Sequence, residues 1–220
     1  MKLDLHIHTR YSRDGTATPK EVVAQCKKVG LHGFAIADHN AIEGSLEAVQ
    51  LARENGLILV RALEVSAKEG HVLAYGVKEL LPRGLTVSET IEKIQNAGGI
   101  AVAAHPKRFP SGIGLDLARN SMFDALEVMN GNNSRRSNRA AQRIAEKLHL
   151  AVTGGSDAHD VVSIGKSFTV IEGASTEDEV LEAIRKKTTS VGGRSRSVSE
   201  GVRYSWEVFL GWVKGDLRRL

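Results

Sequence analysis

Metal-binding side chains recur along the chain at short spacings. His6 and His8 stand one residue apart in LDLHIHTRYSRDG, and Asp157 and His159 stand one residue apart in GGSDAH. Because side chains at positions i and i+2 of a β-strand point to the same face, each pair can converge on one ion. Neutral imidazole and carboxylate suit divalent zinc, manganese or iron. The pairs therefore predict a site for divalent metal ions.

Five further candidates lie near the ends of predicted strands or in the loop after the first strand. They are Asp14, His39, Glu64, His71 and His105. Parallel α/β proteins place their active sites at the carboxyl ends of the strands, where most of these residues fall. Carboxylates and imidazoles gathered there without a cation would cost desolvation and repulsion, so we expect a multinuclear metal site.

Three other residues that could bind metal are expected to stay outside the metal site. Asp38 points away from His39 along the strand, so we expect it to orient a ligand instead of binding metal. His32 and His149 lie at helix-to-strand connections. These connections are at the end of the strand–helix unit opposite to the predicted metal site. We predict that neither of these histidines binds metal.

Strand-like and helical patterns alternate along the chain, which indicates an α/β protein with a parallel sheet. About seven such units favour a closed or nearly closed barrel over an open sheet. Capping boxes at Thr18 to Glu21 and Thr86 to Glu89 predict two helix starts. In the first strand we expect Leu3, Leu5 and Ile7 to pack in the outer layer while His6 and His8 face the barrel mouth.

Composition predicts a single domain over residues 1–220, with C-terminal helices in 176–220. The chain has 41% hydrophobic residues, and its apolar runs fall short of the roughly 18 to 20 residues that a membrane helix needs. We therefore expect a soluble, cytoplasmic protein with no membrane partner. The net charge of +4 is compatible with a phosphorylated substrate or RNA. Cys26 is expected to pack as a small hydrophobic residue.

A stripe of apolar side chains marks the C-terminal end of the chain. It consists of Val202, Trp206, Phe209, Val213 and Leu217. Helical spacing puts these side chains on one face, which predicts either packing against the barrel or a homodimer contact through the C-terminal helix.

The ordered motifs of the chain resemble those of the PHP family, named for polymerase and histidinol phosphatase. The resemblance spans residues 2–172 and rests on DLHIHTRYSRDGTATPKEVV, GFAIADHNAIEG, LEVS, HVLAYG, AHPKRF, LEVMNG and GGSDAH. It implies a distorted (βα)7 TIM-like barrel with the active site at the C-terminal ends of the strands. It further implies that two or three divalent transition-metal ions, manganese, zinc or iron, support hydrolysis of phosphoesters.

The resemblance also implies how the ligands are shared. One metal would take His6, His8, Glu64 and Asp157, a second would share Glu64 and take His71 and His105, and a third would take Asp14, His39 and His159. The form S-x-D-G at Asp14 is similar to the branch that acts on nucleotide and oligonucleotide phosphates. The short interval between HVLAYG and AHP predicts no inserted lid and a relatively open site.

A catalytic scheme follows from a bridging position for Glu64. Two nearby cations lower the pKa of a water between them and can bind the attacking and leaving oxygens, so no serine or cysteine nucleophile is needed. His71, a nearby arginine or a hydrated third metal would assist the leaving alkoxide. Arg108 is the first candidate for binding phosphate oxygens, since its guanidinium has fork geometry. Further candidates for substrate contacts are Arg13, Lys107, Asn130, Arg135 and Arg136.

These features predict a phosphoesterase acting on a small phosphomonoester, a nucleotide or a 5′-phosphorylated oligonucleotide. Two alternatives stay open. The nearest is a histidinol-phosphate phosphatase, and one from another class is a non-catalytic, RNA-binding PHP-like subunit. Retention of every ligand position argues against the non-catalytic role, which has no need of metal.

Overall fold

A computed structural model describes residues 1–197 and 199–201 of the chain. The strands are β1 (Lys2–Ile7), β2 (Gly33–Ile36), β3 (Ile58–Ala67), β4 (Gly70–Tyr75), β5 (Ile100–Ala103), β6 (Ala125–Asn130), β7 (Ala151–Gly155), β8 (Ser167–Val170) and β9 (Ser190–Gly193). The α-helices are α1 (Pro19–Lys28), α2 (Glu43–Glu54), α3 (Val87–Asn96), α4 (Leu115–Asn120), α5 (Arg135–Leu148) and α6 (Glu177–Arg185).

The strands form one sheet in the order β7-β6-β5-β4-β3-β2-β1-β8-β9. Strands β1, β2 and β3 run parallel, as do β5, β6 and β7, whereas β4 is antiparallel to both of its neighbours. Strands β8 and β9 continue the sheet from β1 in antiparallel fashion. The expected α/β barrel-like architecture is confirmed.

The strand arrangement departs from a regular (βα)7 repeat in two places. Only Lys68 and Glu69 connect β3 to β4, which is enough for a hairpin but far too short for the helical crossover that a parallel pair requires. After β7 the chain forms a short 3₁₀ turn, Val161–Ser163, before the antiparallel strand β8. The short connection after β3 therefore reverses the direction of β4.

A bulge in β1 changes which side chains face the barrel interior. The register between β1 and β2 shifts between Asp4 and Ile7. Leu3 and Leu5 lie in the cluster that contains Tyr75 and the α6 residue Ile184, while Ile7 packs in a different cluster, with α1 and α2. The prediction that all three pack in the outer layer was therefore wrong for Leu3 and Leu5, because the extra residue of a bulge breaks the strict two-residue alternation.

The barrel wall closes between β1 and β7 through a short seam. Asp157 N donates to His6 O at 2.7 Å, and His8 N donates to Ala158 O at 2.8 Å. Gly155 permits this close approach, because a Cβ atom there would lie 2.4 Å from His6 Cβ and 2.5 Å from His6 N. The seam thus joins the carboxyl ends of the first and seventh strands.

Both predicted capping boxes are present, at the starts of α1 and α3. The segment between β4 and β5 consists of one loop and α3, as expected for a chain without an inserted lid. Cys26 belongs to α1 and is fully buried on the side of that helix that packs against the core. Helix α6 agrees with the predicted C-terminal helices, but the apolar stripe from Val202 to Leu217 lies outside the described residues. The single-domain assignment over 1–220 and the homodimer contact stay predictions.

Candidate metal centre

Glu64 lies at the centre of a cluster of histidines inside the barrel mouth. Its Oε1 is 3.0 Å from His105 Nε2 and 3.1 Å from His71 Nδ1. Its Oε2 is 3.4 Å from both His6 Nε2 and His8 Nε2. The same Oε2 is 3.0 Å from Nδ1 of a fifth histidine, His39. One carboxylate therefore contacts five imidazole nitrogens.

The cluster has a buried floor and a partly exposed upper side. The side chains of the floor are at most 1% exposed and belong to His6, His8, Glu64, His105 and Asp157. The upper side is between 21% and 28% exposed and consists of Asp14, His39, His71 and His159. Solvent and substrate can therefore reach the cluster from the Asp14 side.

Two of the buried residues have unusual backbone conformations. His105 follows β5 with φ of 30°, and Asp157 follows β7 with φ of 53°. Residues other than glycine rarely adopt positive φ because Cβ then crowds the backbone. Such strain concentrates at functional sites, where the surrounding structure holds it in place. Here it turns both side chains toward Glu64 and His8.

Asp14 joins the cluster from the loop after β1. Its Oδ2 is 3.0 Å from His159 Nε2 and 3.7 Å from His39 Nε2. Burial raises the pKa of this carboxyl, but His159 and other histidines outweigh burial and lower it to about 2. Asp14 is thus an ionised carboxylate beside two imidazoles.

Four overlapping groups of three side chains could each hold an ion. They are His8 with His39 and His159, His6 with Glu64 and His105, His6 with His8 and Asp157, and His39 with Glu64 and His71. The structure therefore brings all nine predicted ligands into one cluster, with Asp14 contacting the first group through His159. Their roles as ligands stay predictions.

The donor set fits divalent transition metals. Imidazole nitrogens and carboxylate oxygens suit manganese, zinc and iron, and the free Cys26 lies elsewhere. Glu64 Oε2 and Asp14 Oδ1 are buried without a hydrogen-bond donor. A buried carboxylate oxygen that lacks a donor is costly, and a cation shared with the neighbouring imidazoles would compensate for that cost.

The charges of the buried groups suit ligand chemistry. Burial lowers the pKa of His8 to about 3, and repulsion from His159 and His39 adds to the effect, so its imidazole is neutral near pH 7. Burial alone would raise the pKa of Asp157, but Arg108 and His6 hold it well below its usual range. A neutral imidazole and an ionised carboxylate are the forms that bind metal.

Hydrogen bonds from outside the cluster orient its imidazoles. Asp38 accepts from Thr9 and from Ser12 Oγ, and Ser12 Oγ lies 3.0 Å from His8 Nδ1. This arrangement agrees with the expected orienting role of Asp38. Glu127 contacts His6 Nδ1 through Oε1 at 2.8 Å, which fixes the opposite nitrogen, Nε2, toward Glu64.

Sequence reasoning missed Glu127. It lies on β6 in the motif LEVMNG and is 1% exposed. The available signal was a carboxylate within the apolar run ALEVM, two residues after the inward-facing Ala125. Because buried carboxylates are rare unless they are paired, this position could have indicated that Glu127 has a buried partner, although not which residue that partner is.

Two predicted substrate residues lie beside the cluster. Arg108 Nη2 is 2.5 Å from Asp157 Oδ2 and donates to Asn130 Oδ1 at 2.9 Å, while its Nε donates to Asn133 Oδ1 at 3.0 Å. Asn130 Nδ2 also donates to Asp157 Oδ2 at 3.1 Å. The structure therefore brings Arg108 and Asn130 to the floor of the site.

The other predicted substrate residues are exposed on loops or on α5. They are Arg13, Lys107, Arg135 and Arg136. His32 and His149, predicted not to bind metal, belong to none of the four groups. His32 Nδ1 accepts from Lys2 N at 3.2 Å at the amino end of β1, and His149 ends α5 with φ of 52°. Within the described residues, no helix combines the length and apolarity needed to cross a membrane.

Comparison with known proteins agrees with this geometry. The PHP domain family matches residues 4–152, and a PHP-associated family matches residues 135–189. The uncharacterized protein MJ1587 of Methanocaldococcus jannaschii is 40% identical over 116 residues, which are 48% of this chain and 68% of that protein. A 3′,5′-nucleoside bisphosphate phosphatase of Chromobacterium violaceum is 32% identical over 84 residues, 36% of this chain and 29% of that enzyme.

A solved structure has a similar fold. It is a two-domain protein from Bacteroides vulgatus, described as containing a PHP-like metal-dependent phosphoesterase, with a TM-score of 0.75 and 18% identity. The likeness covers 88% of this chain and 65% of that chain, so the second protein is longer. The PHP match covers more than half of the present chain and includes seven of the nine clustered side chains. The chain belongs to the PHP domain family.

Proposed function

We propose that this PHP-family metal-dependent hydrolase removes a phosphate group from a nucleotide or another small phosphomonoester. The observation that carries the proposal is the position of Glu64, whose two oxygens contact five imidazole nitrogens while Oε2 lacks a hydrogen-bond donor. When bound, two or three divalent ions would lower the pKa of water toward neutrality and neutralise phosphate charge.

The residues around Glu64 would each bind one of the ions, in the overlapping groups of three described above. His6, His8 and Asp157 form the buried group, and His39 and His71 form a second group with Glu64. His8, His39 and His159 form the group nearest to solvent. A carboxylate at the centre of these groups is placed to bridge two ions, which supports the bridging role of Glu64.

Arg108 supports the assignment of a phosphate substrate. Its Nε and Nη2 are held by Asn133, Asn130 and Asp157. Nη1 makes no hydrogen bond or ion pair within residues 1–197 and 199–201. A guanidinium fixed on one edge by protein groups keeps its remaining donors in a set direction, which suits a phosphate oxygen.

His71 is the candidate to assist the leaving oxygen. Its Nδ1 is 3.1 Å from Glu64 Oε1, so this nitrogen is the one that faces the ligands. Nε2 is then the nitrogen that can hand a proton to an alkoxide, and the side chain is 21% exposed on the side from which substrate enters. With Arg108 binding phosphate and His71 donating a proton, the reaction requires no serine or cysteine nucleophile.

The family resemblance leaves the substrate open, but two features favour a nucleotide. The related bisphosphate phosphatase acts on 3′,5′-nucleoside bisphosphates, as its name states, although the match covers only 29% of that enzyme. The partly exposed upper side of the cluster leaves room for a group larger than phosphate. We therefore propose a nucleoside mono- or bisphosphate as the substrate class.

The test combines metal analysis with a substrate panel. Purified protein loaded with manganese, zinc or iron(II) would be assayed for phosphate release from nucleoside 5′-monophosphates, 3′,5′-bisphosphates and histidinol phosphate. We expect at least one equivalent of bound metal, faster turnover of the nucleotides, and loss of activity with a chelator that reloading restores. Preference for histidinol phosphate would contradict the substrate class. A protein that takes up no metal but binds RNA would contradict the proposed enzymatic function and would favour the non-catalytic RNA-binding alternative.

A further inference from the structure

The chain beyond β9 returns to the rim of the metal centre. Strand β9 is antiparallel to β8, and β8 is antiparallel to β1, so β9 runs in the direction of β1 and ends at the same end of the barrel. Residues 194–197, here named the rim segment, follow β9 directly. Arg194 N donates to Lys166 O at 2.8 Å, and Ser167 Oγ donates to Arg194 O at 2.9 Å. The rim segment is therefore anchored beside the start of β8.

Two buried asparagines connect the rim segment to the loop that holds Arg108. Asn133 and Asn138 are each 4% exposed. Arg196 N donates to Asn133 O at 2.9 Å, and Asn138 Nδ2 donates to Ser195 Oγ at 3.0 Å. The side chain of Asn133 in turn accepts from Arg108 Nε at 3.0 Å. A single residue thus lies between the rim segment and the guanidinium that is the candidate phosphate ligand.

Asn138 makes a second connection to the same guanidinium. Its Nδ2 also donates to Asn130 O at 2.9 Å, and its Oδ1 accepts from Asn130 N at 3.3 Å. Asn130 Oδ1 accepts from Arg108 Nη2 at 2.9 Å. Because a buried amide that loses a partner is costly, a displaced Ser195 would draw Asn138 and the loop before α5 away from their present positions.

Glu200 fixes the rim segment at both of its ends. Its two oxygens accept from Arg194 Nη1 and Nη2, each at 2.8 Å, in a bidentate pair. Oε1 is also 3.3 Å from Lys166 Nζ, and Oε2 accepts from Ser197 N at 2.8 Å. Hydrogen bonding to Arg194 lowers the pKa of the Glu200 carboxyl below its ordinary value, so this group is ionised at neutral pH.

We propose that Glu200 is a positioning residue for phosphate binding, which fixes the rim segment and thereby holds the Arg108 guanidinium in the orientation that binds substrate. The inference rests on the proposed phosphoesterase function and assigns a role to a residue outside the metal cluster. A guanidinium that is already fixed loses less conformational freedom when it binds phosphate. Without Glu200, Arg108 would still be present but less ordered, so phosphate would bind more weakly.

The same contacts allow an alternative role with the opposite effect. Glu200 occupies the side chains of Arg194 and Lys166, so it could instead keep two cations away from the substrate. That role would not need the bonds from the rim segment to Asn133 and Asn138. These bonds therefore favour the positioning role, and the sign of the change in KM distinguishes the two.

The test uses the metal-loaded, full-length protein carrying Glu200→Gln. Glutamine keeps the size of the side chain and an acceptor oxygen, but it cannot form the charged bidentate pair with Arg194. A second variant, Ser195→Ala, removes the acceptor of Asn138 Nδ2 and leaves Glu200 in place.

The matched control is Glu182→Gln on α6. Glu182 also lies beside two cations, 3.3 Å from Lys186 Nζ and 4.0 Å from Arg185 Nη1. Arg185 donates to Gly98 O just before β5, which places this group at the amino end of the barrel. The control therefore removes a similar charge far from the metal centre.

We expect Glu200→Gln to raise KM for a nucleoside 5′-monophosphate about fivefold with kcat within about twofold, because ground state and transition state lose the same contact. The inhibition constant for inorganic phosphate should rise equally. Ser195→Ala should act in the same direction, and Glu182→Gln should keep wild-type constants. In an Arg108→Ala background, Glu200→Gln should change kcat/KM by less than about twofold, since it acts through Arg108.

A second measurement does not depend on turnover. Hydrogen exchange of the Arg108 Nε–H is followed by ¹⁵N NMR of the zinc-loaded protein, with the signal assigned by its absence in Arg108→Ala. The bond to Asn133 Oδ1 slows this exchange. We expect Glu200→Gln to accelerate the exchange about fivefold and Glu182→Gln to leave it unchanged.

Three outcomes would overturn the proposal. The first is a lower KM in Glu200→Gln, which would mean that Glu200 withholds cations from the substrate. The second is an equal effect of Glu200→Gln with and without Arg108, which would assign a general structural role. The third is a wild-type exchange rate of the Arg108 Nε–H in Glu200→Gln. Absence of phosphoester hydrolysis by the wild type would instead contradict the proposed function, and the exchange measurement would still test the positioning role.

Discussion

Replacement of Glu127 by glutamine should weaken metal binding without removing a ligand. Glu127 Oε1 contacts His6 Nδ1 at 2.8 Å, and Oε2 accepts from His105 N at 2.8 Å and from Asn130 Nδ2 at 2.9 Å. A carboxylate only accepts, so His6 must carry its proton on Nδ1 and present the lone pair of Nε2 to the cluster.

Glutamine keeps the shape of Glu127 but has a single acceptor oxygen. Two donors meet the Oε2 position, so the carbonyl should settle there and the amide NH2 should face His6 Nδ1. His6 would then keep its proton on Nε2, the atom 3.1 Å from His8 Nε2 and 3.4 Å from Glu64 Oε2. A protonated Nε2 cannot bind a cation. We expect a loss of metal affinity of about 10- to 100-fold, or roughly 1.4 to 2.8 kcal/mol.

The measurement is a competition titration of manganese or zinc against a chelator, with ¹⁵N NMR of the His6 ring to report its tautomer. Asp124→Asn is the matched control, since Asp124 also accepts a backbone N–H, that of Ala101 at 2.8 Å, near the start of β6. Its metal affinity should equal that of the wild type. A Glu127→Gln protein with wild-type affinity and an unchanged tautomer would refute the reasoning.

Three further predictions concern catalysis, reactivity and stability. His8→Ala should lower phosphoesterase activity at least about a hundredfold, whereas His149→Asn should keep wild-type rates in the same assay; equal rates would contradict the site. Cys26 is buried and burial raises its pKa, so thiol reagents should react at least about a hundredfold faster in denaturant than with the native protein, and a fast native reaction would contradict the packing. Glu177→Gln weakens the contacts to Arg61 Nε and N, each 2.8 Å, and should lower the free energy of unfolding by about 1 kcal/mol, because the pair is partly exposed. A chemical denaturation curve identical to the wild type would contradict that contribution, and metal affinity serves as the unchanged control.

The features that sequence reasoning predicted are local ones. The spacing of His6 and His8 and the capping box of Thr18 are patterns within a few residues, so they can be recognised without knowing the fold. The position of ligands at strand ends follows from the alternation of strands and helices. These patterns were sufficient for the barrel-like architecture and for the residues that the structure brings together.

The features that were missed depend on contacts between distant parts of the chain. Glu127 acts on His6 across 121 residues of sequence, and nothing near either residue indicates the pairing. The bulge in β1 moves Leu5 to the inner cluster because of how β1 pairs with β2, which alternation alone does not reveal. The antiparallel β4 follows from a two-residue connection whose importance emerges only when the strands are paired.

Because of the seam between β1 and β7, metal binding would also affect the stability of the barrel. Two backbone hydrogen bonds close it at the barrel mouth, with His6 and His8 on one side and Asp157 on the other. An ion bound by these three side chains would cross-link β1 and β7 across the seam, so opening the barrel there would require releasing the ion. Measured metal affinity would then include the free energy of closing the barrel, and the protein would be most resistant to unfolding when it is ready for catalysis.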